Sequence, residues 1–272
     1  MRSPLDAEPR RPLTQKERDI YENDGVALLS GVFDLGWVDF LRDAFEVALS
    51  NPGNLAEEYA AADAPGRFFA DLNMWQRIPA FRQFVFESPA ARIAASIMGA
   101  SRINFFYDQM FVKESGTPER TPWHQDQPYW AVSGQQVCSV WIPLDPITKE
   151  SSLEFVKGSH SWPAHNPHHF GDDSPYEGTG LPELPNIESE IEEYEILSWD
   201  MVPGDCLVFQ GMSVHGSPGN NSKEHRRRAL ATRWCGDDAR YSHKAGEVAI
   251  PTSDPGLADG DLLDCDLFPS LL

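Results

Sequence analysis

Three residues with metal-ligating side chains stand where they can share one ion. His124 and Asp126 flank Gln125 in the run Trp123-His-Gln-Asp-Gln127. In an extended segment, residues two apart project from the same side of the backbone, so the imidazole and the carboxylate reach one point while Gln125 faces away. A His-x-Asp triplet recurs by chance, and its meaning depends on what joins it. His215 follows the strand-like run Cys206–Phe209 and precedes a Gly- and Asn-rich turn. Two imidazoles and one carboxylate on a β-scaffold occupy one face of an octahedral Fe(II) and leave three positions open for a chelating co-substrate and O2. The net positive centre attracts an anionic chelator. An arginine suits the far end of such a molecule, because a planar guanidinium forms two parallel charge-assisted hydrogen bonds to a carboxylate. Arg226-Arg227-Arg228 stand just before the run Ala229–Trp234. Alternation sets Arg227 on the face of Ala229 and Ala231, small residues that leave room beside a metal, and Arg228 with Leu230 on the other. Arg227 is therefore the first candidate and Arg226 the second.

These residues must be positioned by strands, and the apolar pattern supplies them. Past residue 100, Ile103–Lys113, Cys138–Asp145, Leu153–Val156, Cys206–Phe209 and Ala229–Trp234 read as strands bounded by Gly, Pro, Asn and Asp clusters. Many short strands with turn signals place the core among β-sandwiches and closed barrels, the class that includes jelly rolls and cupins. The flank before it, residues 14–100, reads as mostly helical. Thr14-Gln-Lys-Glu17 is a capping box, Trp37, Phe40, Leu41, Ala44, Phe45 and Ala48 recur at helical spacing, and Ala80–Met98 predicts one further helix ending at Gly99. Residues 1–13 read as a flexible arm, 51–66 as a mobile loop and 241–272 as a C-terminal tail. Residues 160–195, with little periodicity, several prolines and the acidic run Glu183–Glu195, read as an insertion that forms a lid.

Composition narrows the function classes. At 272 residues with 41% hydrophobic content, the chain reads as a single domain with a full core. The 42 acidic side chains against 22 basic ones leave a formal charge of −20, which disfavours nucleic acid and anionic membranes as partners. Cys138, Cys206, Cys235 and Cys265 form no CxxC pair, so neither a zinc ribbon nor a disulfide framework is indicated. No apolar run approaches the roughly 20 residues of a membrane span, and the N-terminal stretch has no signal-peptide core. A reduced, cytoplasmic location is the expectation.

His124-Gln125-Asp126, the turn Gly158-Ser159-His160, His215-Gly216-Ser217 and the following Arg-Arg-Ala-Leu together resemble the phytanoyl-CoA dioxygenase (PhyH) family of Fe(II)/2-oxoglutarate oxygenases, over roughly residues 14 to 240. The resemblance implies a mainly β fold with flanking helices around a double-stranded β-helix, the cupin-like jelly roll. It implies His124, Asp126 and His215 as iron ligands, and Arg227 or Arg226 on the distal carboxylate of the co-substrate 2-oxoglutarate. Ser217 matches a position that assists the arginine, and Trp141 matches a pocket-wall aromatic. Gln109 and Lys113 on the preceding strand are further pocket candidates, His160 matches a structural turn residue, and Trp123, Tyr129 and Trp130 are candidates for a substrate wall. Two departures stand out: Lys149-Glu-Ser-Ser-Leu153 replaces a Gly-Pro or Asn-Gly segment, and the arginine falls one place later than usual. Because Asp126 is intact, hydroxylation or a related oxidation of a small organic molecule is expected rather than halogenation. The rival expectation is a cupin-like metal or small-ligand binding protein without turnover, which would not need the arginine. His165, His168 and His169 read as a solvated loop cluster.

Overall fold

The computed structural model describes residues 5–272 apart from 61, 62 and 224. The capping box forms as expected. Glu17 N donates to Thr14 Oγ1 at 3.2 Å and Thr14 N donates to the Glu17 carboxylate at 2.7 Å, opening α1 (Gln15–Asp24). Gly25 ends it at φ 83°, where a side chain would be strained. Helix α2 (Leu35–Ser50) carries the expected apolar stripe of Trp37, Leu41, Ala44, Phe45 and Ala48. The single helix expected over Ala80–Met98 is two, α3 (Pro79–Glu87) and α4 (Ala90–Met98). Ser88 between them is extended, at φ −81° and ψ 167°, because the ring of Pro89 disfavours a helical residue before it.

The strands in chain order are β1 (Val26–Leu29), β2 (Glu57–Glu58), β3 (Phe68–Leu72), β4 (Asn104–Lys113), β5 (Thr121–His124), β6 (Val132–Ser133) and β7 (Val137–Pro143). They continue as β8 (Glu154–Val156), β9 (Ile196–Leu197), β10 (Cys206–Gln210), β11 (His215–Ser217), β12 (Arg227–Cys235) and β13 (Arg240–Tyr241). Seven make one sheet in the order β1-β10-β7-β12-β4-β3-β2, four make a second in the order β5-β11-β8-β9, and β13 pairs with β6. All named pairs are antiparallel. The two larger sheets form the walls of a cupin-like jelly roll.

Alternation along β12 shows how the layers are filled. Leu230 and Trp234 join β7's Val140 and Ile142 in the core packed against the helices. Ala229 and Ala231 face inward, in a cluster with Trp141, Phe155 and Phe209. Phe155 of the smaller sheet meets Phe209 of the larger one at 5.0 Å between ring centroids.

One expectation about the chain ends is corrected. Residues 5–13 of the supposed arm are pinned, since Trp37 Nε1 donates to Asp6 O at 2.7 Å, Arg10 N to Val32 O at 2.9 Å, and Leu13 is buried; residues 1–4 lie outside the described residues. The C-terminal tail is likewise fastened, with Phe268 stacked on Phe106 at 4.9 Å and Ile103 N donating to Leu272 O. In the 51–66 segment, Glu57 and Glu58 pair with β3. Among the described residues, no helix is long and apolar enough to cross a membrane.

Candidate metal centre

His124 and His215 meet as cross-strand partners. They are opposite one another in the β5/β11 pairing, with ring centroids 4.2 Å apart. Each ring is held by the carbonyl two residues before it: His124 Nδ1 donates to Pro122 O at 2.8 Å and His215 Nδ1 to Ser213 O at 2.9 Å. Donation from Nδ1 fixes the tautomer in which Nε2 carries a lone pair, the arrangement a metal ligand needs. Asp126 completes the set, its Oδ1 lying 3.5 Å from His124 Nε2 and 4.0 Å from His215 Nε2. One ligand atom from each of the three lies within 4.8 Å of the other two, a spacing that fits an ion coordinated at their centre.

The convergence has a different cause from the one the sequence suggested. β5 ends at His124, and Asp126 is helical in backbone, at φ −69° and ψ −47°, opening a short turn over Gln127–Tyr129. A turn, and not strand alternation, brings the carboxylate round. Gln125 does face away, and its amide has a task there. Nε2 donates to Pro163 O at 3.2 Å and Met212 O at 3.1 Å, while Oε1 accepts from His165 N at 2.9 Å. The residue between two ligands thus ties the start of the 160–195 segment to the loop that leads into His215.

Electrostatics prepare the ligands for a cation. Burial alone would raise Asp126, yet the adjoining His124 ring and the charge of the Arg233 guanidinium outweigh it and hold the carboxylate below its ordinary range. Burial, with help from the neighbouring His124, pushes His215 down to about 3, so its ring is a neutral donor at ordinary pH.

Beside the triad lies a narrow cavity of about 40 Å3 whose lining includes Gln109, Trp141, Ser217, Arg227 and Arg233. Arg227 is buried; its Nη2 donates to Ser217 Oγ at 3.3 Å, its Nη1 to the carbonyl of Ser151, and its Nε has no partner. A buried guanidinium with an unused donor suits an anion, since such a donor costs about 1–3 kcal/mol when unpaired. The Lys149–Leu153 segment, a departure from the usual pattern, is what brings Ser151 to the arginine. Lys113 lies opposite Arg227 on β4 and backs the site from behind: its Nζ reaches Ser217 Oγ at 3.1 Å, Glu119 O at 2.8 Å and Pro218 O at 2.9 Å. Arg226 is corrected as a co-substrate candidate. It is not part of the cavity lining, and its side chain, about a third exposed, pairs with Glu46 at 2.5 Å and Glu114 at 3.8 Å. Arg228 turns to the helix side, as alternation requires, and binds Asp145 at 2.7 Å and Glu46 at 3.0 Å.

Two wider clefts reach His124 under the 160–195 segment. One, of about 150 Å3, is lined by Tyr59, Tyr107, Tyr129, Trp130, Tyr176 and Phe170 among others, and a second, of about 340 Å3, includes Trp123, His165 and Glu183. Phe170 of this segment sits against His124 at 4.7 Å. Among the described residues, the histidine cluster forms no group of ligands close enough to share a metal. His168 pairs with Glu183 at 2.6 Å and Asp173 at 3.2 Å, and His169 with Glu247 at 3.4 Å. His160 Nε2 lies 3.2 Å from Glu22 O, joining its turn to α1.

Sequence reasoning missed Arg233, Ser139 and Phe170. The alternation that singled out Arg227 continues through Ala229 and Ala231 to Arg233, and Ser139 is opposite Arg233 on β7. Phe170, inside an aperiodic segment, gave no signal.

Comparison with known proteins bears on the site. The multifunctional dioxygenase prhA of Penicillium brasilianum is 30% identical over 135 residues, which is 46% of this chain and 40% of that protein. The chain matches about two fifths of the length of the first curated relatives. Among solved structures, the non-heme alpha ketoglutarate dependent carbocyclase SnoK from nogalamycin biosynthesis superposes with a TM-score of 0.75 at 20% identity, covering 96% of this chain and 97% of its own. The epimerase SnoN, in complex with Fe3+, alpha ketoglutarate and nogalamycin RO, gives 0.73 at 20% identity, covering 95% and 98%. The profile described as "Phytanoyl-CoA dioxygenase (PhyH)" matches residues 21–229, a span that contains the triad, Ser217 and Arg227. With that match and this arrangement of side chains, the chain belongs to the phytanoyl-CoA dioxygenase (PhyH) family of iron- and 2-oxoglutarate-dependent oxygenases.

Proposed function

We propose that this chain is an Fe(II)- and 2-oxoglutarate-dependent dioxygenase that hydroxylates, or otherwise oxidises, an unactivated C–H bond of a small organic molecule and releases succinate and CO2. The observation that carries this reading is the unpartnered Nε of Arg227 in the same narrow cavity as the His124–Asp126–His215 triad. A cupin-like binding protein without turnover needs the triad but has no use for that arginine. Bound iron supplies O2 activation coupled to decarboxylation of the co-substrate. The protein does the rest. His124, Asp126 and His215 hold the ion, Arg227 and Ser217 receive the distal carboxylate of 2-oxoglutarate, and Trp141 and Gln109 wall its chain. The lid, with Phe170 against His124, keeps water from the reacting centre. Asp126 fills the ligand position that a halide would take in its absence, which favours hydroxylation.

The clefts under the lid suggest the class of primary substrate. Among the described residues, neither lining contains Lys or Arg, whereas Glu57, Asp173 and Glu183 stand on them beside tyrosine and phenylalanine rings. Such walls suit an uncharged or cationic, ring-bearing molecule better than an anionic coenzyme A thioester. The SnoN complex, which holds nogalamycin RO with Fe3+ and alpha ketoglutarate, supports a small-molecule substrate. The charge of −20 speaks against nucleic acid or membrane as partner, and four free cysteines accord with a reduced, cytoplasmic location.

The test is anaerobic titration of the apoprotein with Fe(II) and then 2-oxoglutarate, followed by exposure to O2. A weak visible charge-transfer band and succinate formation are expected. Metal binding with neither band nor succinate would leave the binding-protein reading standing, and O2 consumption without succinate would indicate an iron oxygenase that uses another reductant.

A further inference from the structure

Arg233 is a buried cation that the co-substrate reading does not use. It stands six residues beyond Arg227 on the same inward face of β12, at the metal end of the cavity. Its Nη2 lies 3.9 Å from Asp126 Oδ2 and donates to Gln109 Oε1 at 3.1 Å, its guanidinium covers the ring of Tyr107 at 4.5 Å, and its Nε has no partner. Ser139, its cross-strand neighbour, donates through Oγ to the same Asp126 Oδ2 at 3.0 Å. The two carboxylate oxygens of Asp126 are thus in different company: Oδ1 faces His124 Nε2 and His215 Nε2, whereas Oδ2 faces a hydroxyl donor and a guanidinium.

Resting on the iron reading above, we propose that Arg233 and Ser139 are positioning residues that occupy the outer oxygen of Asp126, so that the carboxylate ligates through Oδ1 alone and the remaining coordination positions stay open. A carboxylate free to turn can bind a metal through both oxygens and take one of those positions. Hydroxyl donation fixes its rotation, and a cation on the far oxygen makes that oxygen the poorer metal ligand. Arg233 cannot leave this post cheaply, because the same guanidinium holds Gln109 and Tyr107. These two residues also line the aromatic cleft under the lid, so the orientation of the metal carboxylate and the shape of the substrate wall share one support.

The test uses the full chain and Co(II) as the probe, since the intensity of Co(II) visible bands reports coordination number. Ser139→Ala and Arg233→Met are each expected to weaken Co(II) binding by about tenfold, the lower end for lost outer partners of a metal ligand. They should also alter the band intensity, because the freed carboxylate changes the coordination number. Arg233→Lys restores the charge and should recover most of the affinity. A purely structural role for Arg233 would lower the unfolding temperature of the apoprotein and leave the Co(II) spectrum unchanged in every variant that folds. That outcome overturns the inference, and Ser139→Ala, which removes a single oxygen, decides it if Arg233→Met does not fold. Wild-type protein that binds neither Co(II) nor Fe(II) would sink the iron reading as well. Wild-type binding with unaltered variants would sink this one alone.

Discussion

The two large sheets divide the chemistry between them and are built very differently. The smaller sheet, with strands of two to four residues, presents His124 and His215 and carries the long connection between β8 and β9 that is proposed as the lid. The larger sheet holds β4, β7 and β12, of 10, 7 and 9 residues, and from them come Gln109, Trp141, Arg227 and Arg233. Long strands with helices packed on their outer face can fix a carboxylate-binding arginine without help from a ligand. Strands this short are marginal alone, and their order leans on cross-strand contacts such as Phe155 on His215, at 5.5 Å, and on whatever joins their ends. The metal is such a joint. The difference teaches that metal binding should stiffen the smaller sheet and its lid, whereas 2-oxoglutarate should find its site largely formed.

The strongest way to break this contrast is to remove the metal. Fe(II) at a hundredfold above its Kd is expected to stabilise the fold by about 2.7 kcal/mol. For a chain of this size that corresponds to roughly 5–10 °C in Tm. Amide exchange should slow chiefly in β5, β8 and β11. His215→Ala should abolish both the shift and turnover. Equal protection gained across β4, β7 and β12 would show that the sheets do not differ in the way described.

A smaller effect separates two neighbouring arginines. Arg227→Ala should raise the KM for 2-oxoglutarate on the order of a hundredfold, the worth of lost charge-assisted hydrogen bonds at about 2–3 kcal/mol, while Fe(II) affinity holds. Arg226→Ala removes a surface ion pair and should change KM less than about twofold. If the two variants behaved alike, the carboxylate site would lie elsewhere on the larger sheet.

What the sequence disclosed follows the same division. The larger sheet was legible because its strands are long enough for alternation to repeat: the inward set of β12 assigns Arg227 inward and Arg228 outward from spacing alone, and extending it by one step reaches Arg233. The triad was legible through residue type and order, although Asp126 arrives by a turn that no period announces. The break at Ser88 was written in Pro89, yet the apolar spacing runs through it. The lid interior was not legible, since Phe170 owes its place to tertiary contacts with His124, Tyr129 and Tyr59 that leave no local pattern. The pinned N-terminal segment was hidden for a similar reason: the backbone groups of Asp6 and Arg10 are tied to Trp37 and Val32, more than twenty residues on, and leave no local pattern.

Gln125 offers a test within the smaller sheet. Its amide makes three bonds to the backbone at Pro163, Met212 and His165, each worth about 1 kcal/mol net. Gln125→Ala should leave Fe(II) affinity within a few-fold while raising the KM for the primary substrate and exposing residues 163–170 to protease. An unchanged digestion pattern would mean that the lid is held by its own contacts and not from the metal side.

The smallest effect expected is a pH dependence of the lid. Burial would lower His168, but its hydrogen bonds to Glu183 and Asp173 prevail and raise it above the ordinary value of 6.5. A group raised in the folded state contributes stability that is fully present below its unfolded pKa and is lost as pH rises through the folded one. The tie between His168 and Glu183 should therefore hold the lid at pH 6 and weaken as the pH climbs past the raised value. Amide exchange of residues 165–187 should accelerate over that interval beyond the intrinsic base-catalysed increase, with β4, β7 and β12 unaffected. Glu183→Gln should flatten the response and speed exchange at pH 6. The same pH dependence in that variant would place the titrating group outside the lid and return the lid's order to the aromatic contacts around Phe170.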